Sequence, residues 1–481
     1  MALSHSVQRQ NKHNNIIDPI ITYLENIERK QHQYSSFEQA ENAIRALVVE
    51  VEKSMVQETL SQFDINTPVV EFDGQKYFKA LRKEKSYTCA AGIIKIERSL
   101  YRQRAGERCI CPMDLQAGII EDFWTPAAAR IGSYVTAQLS PYQGEKLFQE
   151  LGHLTPSKSS LSRLSTQLGE VWDSDQKQLE HVFSQPVEIP ESAVTVSASL
   201  DGIMLPLNKK TKNGYLSLKL VDNPTEAEKK KYQDKTDKAF YREASCAAIN
   251  FYDPKGERLK TIKFGRMPET GKKTLKAMIL QTVAGIVSQR PTINIVKIAD
   301  GALDNWRFMS DDLLPGKGVE ILDYYHASEH LNEAYAAAFG GDSAKASAQY
   351  KKYRSLLKNE IGGIDKVINS LRYLHKKHPC NEKLKTELGY FRNNRHRMNY
   401  ASAATKFYPI GSGVTEAACK TLVTQRLKCA GMRWDINGGQ GVLTTRSLIQ
   451  SELFDNGWTL LSAKYRQEIS LPKNVIEFRK K

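Results

Sequence analysis

Three acidic residues sit where a strand or helix meets glycine. Asp201 precedes Gly202, Asp300 precedes Gly301, and Glu416 follows Gly411-Ser412-Gly413. Carboxylates at the ends of buried strands can ligate a hard dication. Mg²⁺ or Mn²⁺ takes oxygen ligands and keeps several waters, so two or three carboxylates suffice beside a phosphate. Two ions per site, about 3.5–4 Å apart, can activate an attacking oxygen and stabilise a leaving one in an in-line displacement. Singly, each residue has a plainer role. An Asp before Gly is a turn residue, and a Glu in a first helical turn suits the helix dipole. The order of the surrounding elements favours the metal.

That order begins at residue 193. AVTVSASLDGIMLPL is a β-branched strand carrying Asp201, and EASCAAINFYD and RLKTIKFG are two more strands across the turn Asp253-Pro254-Lys255-Gly256. TLKAMILQTVAGIVSQR reads as an amphipathic helix. Strand 292–299 then ends at Asp300, a helix covers about 302–313, and VEILDYY is the fifth strand. Strand, strand, strand, helix, strand, helix, strand is the layout of a ribonuclease-H-like mixed sheet. Asp201 on the first strand and Asp300 just after the fourth lie 99 residues apart, where that fold holds two of its acids. Glu416, on the helix VTEAACKTLVTQRLK, supplies the third. Asp323 and His326, in DYYH, are read as groups that orient ligands or position a substrate, with Asp323 in reserve should Asp300 stand too far away. His326, Glu329 and His330 also match H-x-x-E-H, an inverted zinc-protease motif, which keeps a zinc metalloprotease as a lesser alternative.

Charge points to a partner. The chain has 69 Lys and Arg against 54 Asp and Glu, a surplus of +15. Between Lys345 and Trp434 there are 19 basic and 5 acidic residues, a surplus of +14, so the excess is concentrated beside the third acid. Such a surface suits a DNA backbone. Arg392, Arg395, Arg397, Lys420, Arg426, Lys428 and Arg433 are its candidate contacts. The lysines at 209, 210, 212 and 229–231 read as a mobile polar insertion. Further upstream, Ser140-Pro141 and Thr155-Pro156 each place a capping hydroxyl before a helical Pro. The second helix should bury Leu161, Leu164 and Leu168 and present Lys158, Ser159 and Arg163. That is a helix-turn-helix pattern suited to a major groove, although an ordinary helical hairpin would read alike.

The whole chain is therefore expected to be a multidomain α/β protein. A flexible start (1–15) precedes an N-terminal α/β domain (16–125) and the helix-turn-helix region (126–185). A catalytic domain (190–330 and 405–435) is interrupted by a helical insertion (331–404), and a helical tail follows (436–481). In the N-terminal helix, Ile44, Leu47, Val48, Val51 and Met55 make one apolar face, expected to pack within its own domain, with a dimer contact as the lesser alternative. Seven scattered cysteines argue against a disulfide framework, and Cys109-Ile110-Cys111 lacks the spacing and partners of a zinc site. With 41% hydrophobic residues, no spanning-length apolar run and no secretory h-region, a reducing cytoplasm and no membrane are expected.

Three stretches resemble one family closely: IADGALDNW (298–306), DYYHASEHL (323–331) and YPIGSGVTEAACKTLVTQRLKCAGMRW (408–434). GIIKIERSLYR followed by PMDLQAG is similar to its N-terminal region. The family is the ISKra group of bacterial insertion-sequence transposases, within the Asp-Asp-Glu superfamily. The resemblance covers most of the chain and implies Asp201, Asp300 and Glu416 as catalytic acids. It implies metal-dependent cleavage at transposon ends, strand transfer into target DNA, and a homo-oligomer working on double-stranded DNA at the nucleoid. A catalytically inactive, transposase-derived DNA-binding protein is the alternative.

Overall fold

In the computed structural model, the period-two alternation of residues 75–102 yields a long antiparallel hairpin. The described residues are 18–472, apart from 19, 27, 29–33, 105, 107, 176–181, 184–187, 209–239 and 341. The start at 1–15 and the lysines at 209, 210, 212 and 229–231 lie outside them. The chain is mixed α/β, with one antiparallel and one mixed sheet, and divides into two units: 1–168 with 455–481, and 169–454.

In the first unit, α1 (Phe37–Ser61) leads into β1 (Val69–Phe72), β2 (Gln75–Cys89), β3 (Gly92–Arg102) and β4 (Cys109–Ile110), paired in that order. Asp73 and Gly74 both take positive φ, as the two-residue turn requires. The apolar face expected of α1 is buried only in part, with Leu47 and Val51 half-buried. Ile44, Val48 and Met55 are 38%, 52% and 58% exposed, whereas Leu60 packs with Tyr87, Ile94 and Ile96 of the sheet. Helical spacing identifies a stripe but not the side a sheet will take. Short α2 (Pro112–Ala117) and then α3 (Pro126–Gln138), α4 (Pro141–Leu151) and α5 (Lys158–Ser174), which belongs to this unit up to Leu168, follow. Ser140 forms a full capping box with Gln143. The second expected cap moves by two residues: Ser157 Oγ, not Thr155, accepts from the Ser160 amide at 3.2 Å. The end of the chain returns to this unit, where Ser470 exchanges backbone hydrogen bonds with Glu71 of β1.

The second unit holds β5 (Thr195–Leu207), β6 (Phe240–Tyr252), β7 (Arg258–Arg266), α6 (Lys273–Gln289), β8 (Asn294–Ala299), α7 (Leu303–Arg307) and β9 (Val319–Leu322). The sheet order is β7-β6-β5-β8-β9, antiparallel from β7 to β5 and parallel from β5 to β9. Between β9 and the glycine turn at 411–413 lie α8 (Tyr324–Phe339), α9 (Ser343–Asn359), α10 (Gly363–Lys377), α11 (Glu382–Asn393) and α12 (Tyr400–Thr405). Then α13 (Gly413–Ala418) runs through a π-helical turn (Cys419–Thr424) into Gln425–Leu427, and α14 (Ile436–Gln450) follows. Leu422, Val423 and Leu427 pack with Leu205, Leu207, Ala244 and Cys246 of the sheet, fixing the helix that carries Glu416. Among the described residues, no helix is long and apolar enough to cross a membrane.

Candidate active site and nucleic-acid surfaces

Strand register brings the acids to the same end of the sheet. β5 and β8 pair from Thr195↔Asn294 to Ser199↔Ile298, and β8 and β9 from Val296↔Val319 to Ala299↔Leu322. Continued two steps past its last pair, the first register would set Asp201 abreast of Asp300; continued one step, the second would set Asp300 abreast of Asp323. Neighbouring strands lie about 4.8 Å apart, so the three acids fall at the same end of adjacent strands. Side chains alternate along β5, and the odd-numbered ones face α13. Ser199 Oγ hydrogen-bonds Thr415 Oγ1, and Cys419 Sγ lies 4.0 Å from Asp201 Oδ2. Glu416 is one helical turn before Cys419 and so faces the same way.

The electrostatics agree with this proximity. Burial raises the Asp201 carboxyl above its usual range and Asp300 adds to it, against the Gly202 amide that donates to it at 2.7 Å. Burial also raises Glu416, with Asp323 and Asp201 adding and His326 opposing. Asp300 raises the Asp201 carboxyl more than either His326 or Lys272 nearby lowers it, and an all-oxygen donor set fits Mg²⁺ or Mn²⁺. Asp323 is differently placed. It is buried, and both oxygens are used: Oδ1 accepts from the Tyr325 amide (2.6 Å) and the His326 amide (3.2 Å). Oδ2 accepts from the Ser412 amide (2.7 Å) and hydroxyl. It caps α8 and ties down the turn before Glu416, a positioning role.

Among the described residues, the three metal-competent side chains with ligand atoms within 4.8 Å of one another are His330, Glu333 and Glu387, not the three acids. Lys383 already bridges that cluster, 2.5 Å from Glu333 and 2.8 Å from Glu387, while His330 Nδ1 lies 2.7 Å from Glu387. The charge there is met without an ion. His326 Nδ1 is 3.4 Å from Glu329, so the two histidines of H-x-x-E-H address different carboxylates. Tyr390 on α11 stacks its ring on His330 at 3.8 Å. A Cβ on Gly301 would lie 2.3 Å from that ring, so the helical segment reaches the end of β8 only because residue 301 is glycine.

The basic residues separate into two kinds. Arg392, Lys420, Lys428 and Arg433 are exposed. Arg395 is exposed but paired with Asp365 at 2.6 Å. Arg397 is half-buried, 2.8 Å from Glu320 and 3.9 Å from the Trp306 ring centroid. Arg426 is buried beside Trp434. In the first unit, Leu161, Leu164 and Leu168 are buried, while Lys158, Ser159, Ser162 and Arg163 line a 580 Å³ concavity with Pro141 and Tyr142. Cys111 is buried, its thiol pushed up to about 12 by burial and Asp114, and all seven cysteines are free.

Replacing Arg397 with Ala should therefore act on folding more than on DNA. Burial works to raise Glu320, but hydrogen bonds from Arg397 and Ser310 outweigh it and hold the carboxyl below its usual range. A depressed carboxyl stabilises above its unfolded pKa and loses that contribution as pH falls through the folded one. The variant should lose about 1.5–3 kcal/mol at pH 7. The deficit should narrow below the ordinary Glu value of 4.5, as urea denaturation at several pH values would show.

Compared with models of known protein families and with curated proteins, the chain has no match.

Proposed function

We propose that the chain is a DNA transposase that hydrolyses a phosphodiester at an element end and joins the released 3′-hydroxyl to target DNA. One observation carries the reading. Asp201 on β5 and Asp300, just past the end of the parallel strand β8, are close enough for Asp300 to raise the Asp201 carboxyl, and the helix bearing Glu416 packs on the face of β5 that presents Asp201. Counted from the first strand of its sheet, the order is 3-2-1-4-5, which supports the ribonuclease-H-like reading. In this reading Asp201, Asp300 and Glu416 hold two Mg²⁺ or Mn²⁺ ions, which supply charge for the attacking and leaving oxygens. Asp323 fixes the turn before Glu416, and the exposed cations hold the phosphate backbone.

Purified protein, incubated with DNA spanning the element's ends, should nick it in Mg²⁺ but not in EDTA, and should insert those ends into a plasmid. Binding without nicking or joining would instead support the inactive, DNA-binding alternative.

The helix α5 is proposed to read base edges. Replacing Ser159 and Arg163 together with Ala should narrow the gap between element-end and random DNA, each lost base contact being worth about 1–3 kcal/mol. Equal weakening on both DNAs, measured by titration across a salt series, would make α5 a phosphate contact only.

A further inference from the structure

Lys272 occupies a backbone conformation that residues with a Cβ avoid, at φ 53° and ψ 36°. Gly271 before it also has positive φ, yet the second position is not glycine. Strain of this kind persists only where the surrounding structure holds it, and it clusters at functional sites. The Lys272 ammonium is next to the acids. Lys272 Nζ is 2.7 Å from Glu243 Oε1 and 3.4 Å from Asn305 Oδ1, and Asn305 Nδ2 donates to Asp300 Oδ1 at 3.0 Å. Glu243 in turn lies over Gly202, where a Cβ would come within 2.0 Å of its carboxylate. A glycine after Asp201, a fourth acid in the space it leaves, and a strained lysine clamped by that acid form one construction. A surface ion pair alone requires neither the glycine nor the strain.

We infer that Lys272 takes a non-bridging oxygen of the phosphodiester being cut, with Glu243 and Asn305 holding its ammonium in place beside Asp201 and Asp300. The inference rests on reading those acids as a phosphodiester-cutting site. A phosphate approaching three carboxylates is repelled, and a lysine fixed beside them offsets that repulsion before any ion contributes.

The test uses the full chain and two duplexes spanning the mapped cleavage position, one native and one with a single uncharged methylphosphonate at the cleaved linkage. Without divalent metal, wild type should bind the native duplex at least as tightly as the neutral one. In Lys272→Ala the preference should reverse, favouring the neutral duplex by about tenfold, the scale of one charge-assisted hydrogen bond. Lys272→Gly should behave alike while relieving the backbone strain, so a folding defect cannot produce the result. Glu243→Gln keeps an acceptor for Lys272 and should keep the wild-type preference. An unchanged preference in both Lys272 variants overturns the assignment. If Mg²⁺-dependent cleavage still requires Asp201, that failure leaves the transposase reading intact. If wild type does not cleave, or Asp201→Asn cleaves equally well, that reading falls and the role of Lys272 falls with it.

Discussion

Replacing Asp201 with Asn is expected to abolish Mg²⁺-dependent cleavage while making the metal-free protein more stable. Loss of a metal-binding carboxylate removes several kcal/mol of charge stabilisation, and each 1.36 kcal/mol is tenfold in rate. A fall of about 10³-fold or more follows. The stability change has the opposite sign because the Asp201 carboxyl is raised by burial and by Asp300. Between its unfolded and folded pKa values the native state holds more protons, so stability declines as pH rises through that window. Asn carries no charge, so the variant should show less of that decline and melt higher than wild type at pH 7 without metal. Added Mg²⁺ or Mn²⁺ should raise the wild-type melting temperature and leave the variant's nearly unchanged. Binding to DNA should be retained or improved, since one negative charge near phosphate is gone. Cleavage at near the wild-type rate would remove Asp201 from the site.

The second sheet was largely legible in the sequence because its strands are buried runs of β-branched and small residues bounded by turn signals. The separation of 99 residues between Asp201 and Asp300 is also the register offset of β5 and β8, Thr195↔Asn294. The position of Glu416 was legible only as a residue on a helix. Its place on the sheet depends on Leu422, Val423 and Leu427 meeting Leu205 and Leu207, a contact across more than 200 residues that no local period encodes. Counting charges misses a different matter, since it treats every cation as facing water. Arg397 and Arg426 lie against Trp306 and Trp434, and aromatic faces can hold guanidinium groups inside a fold. Lys272 was hidden for a third reason. Glu269-Thr270-Gly271-Lys272-Lys273 reads as a polar loop, and nothing in its composition reports that a lysine has left-handed backbone.

Asp323→Ala should cost activity and stability together, which separates a positioning residue from a metal ligand. The side chain caps α8 through the amides of Tyr325 and His326 and restrains Ser412 through its amide and hydroxyl. Losing the cap costs about 0.5–2 kcal/mol. Leaving the Ser412 donors without their acceptor adds about 1–3 kcal/mol each where water cannot replace it, for a total of at least about 2.5 kcal/mol. Ser412 begins the turn into α13, so slack there displaces Glu416, and a shift of about 1 Å can cost about 10²-fold in rate. Cleavage measured well below the variant's melting temperature should fall by that amount, whereas melting is lowered with or without Mg²⁺. The decisive comparison is with Asp201→Asn. If Asp323 only positions, its Ala variant keeps the metal-induced rise in melting temperature that Asp201→Asn abolishes. Loss of that rise would instead make Asp323 a ligand, and Asp300, which already accepts from Ala302 and Asn305, would become its orienting neighbour.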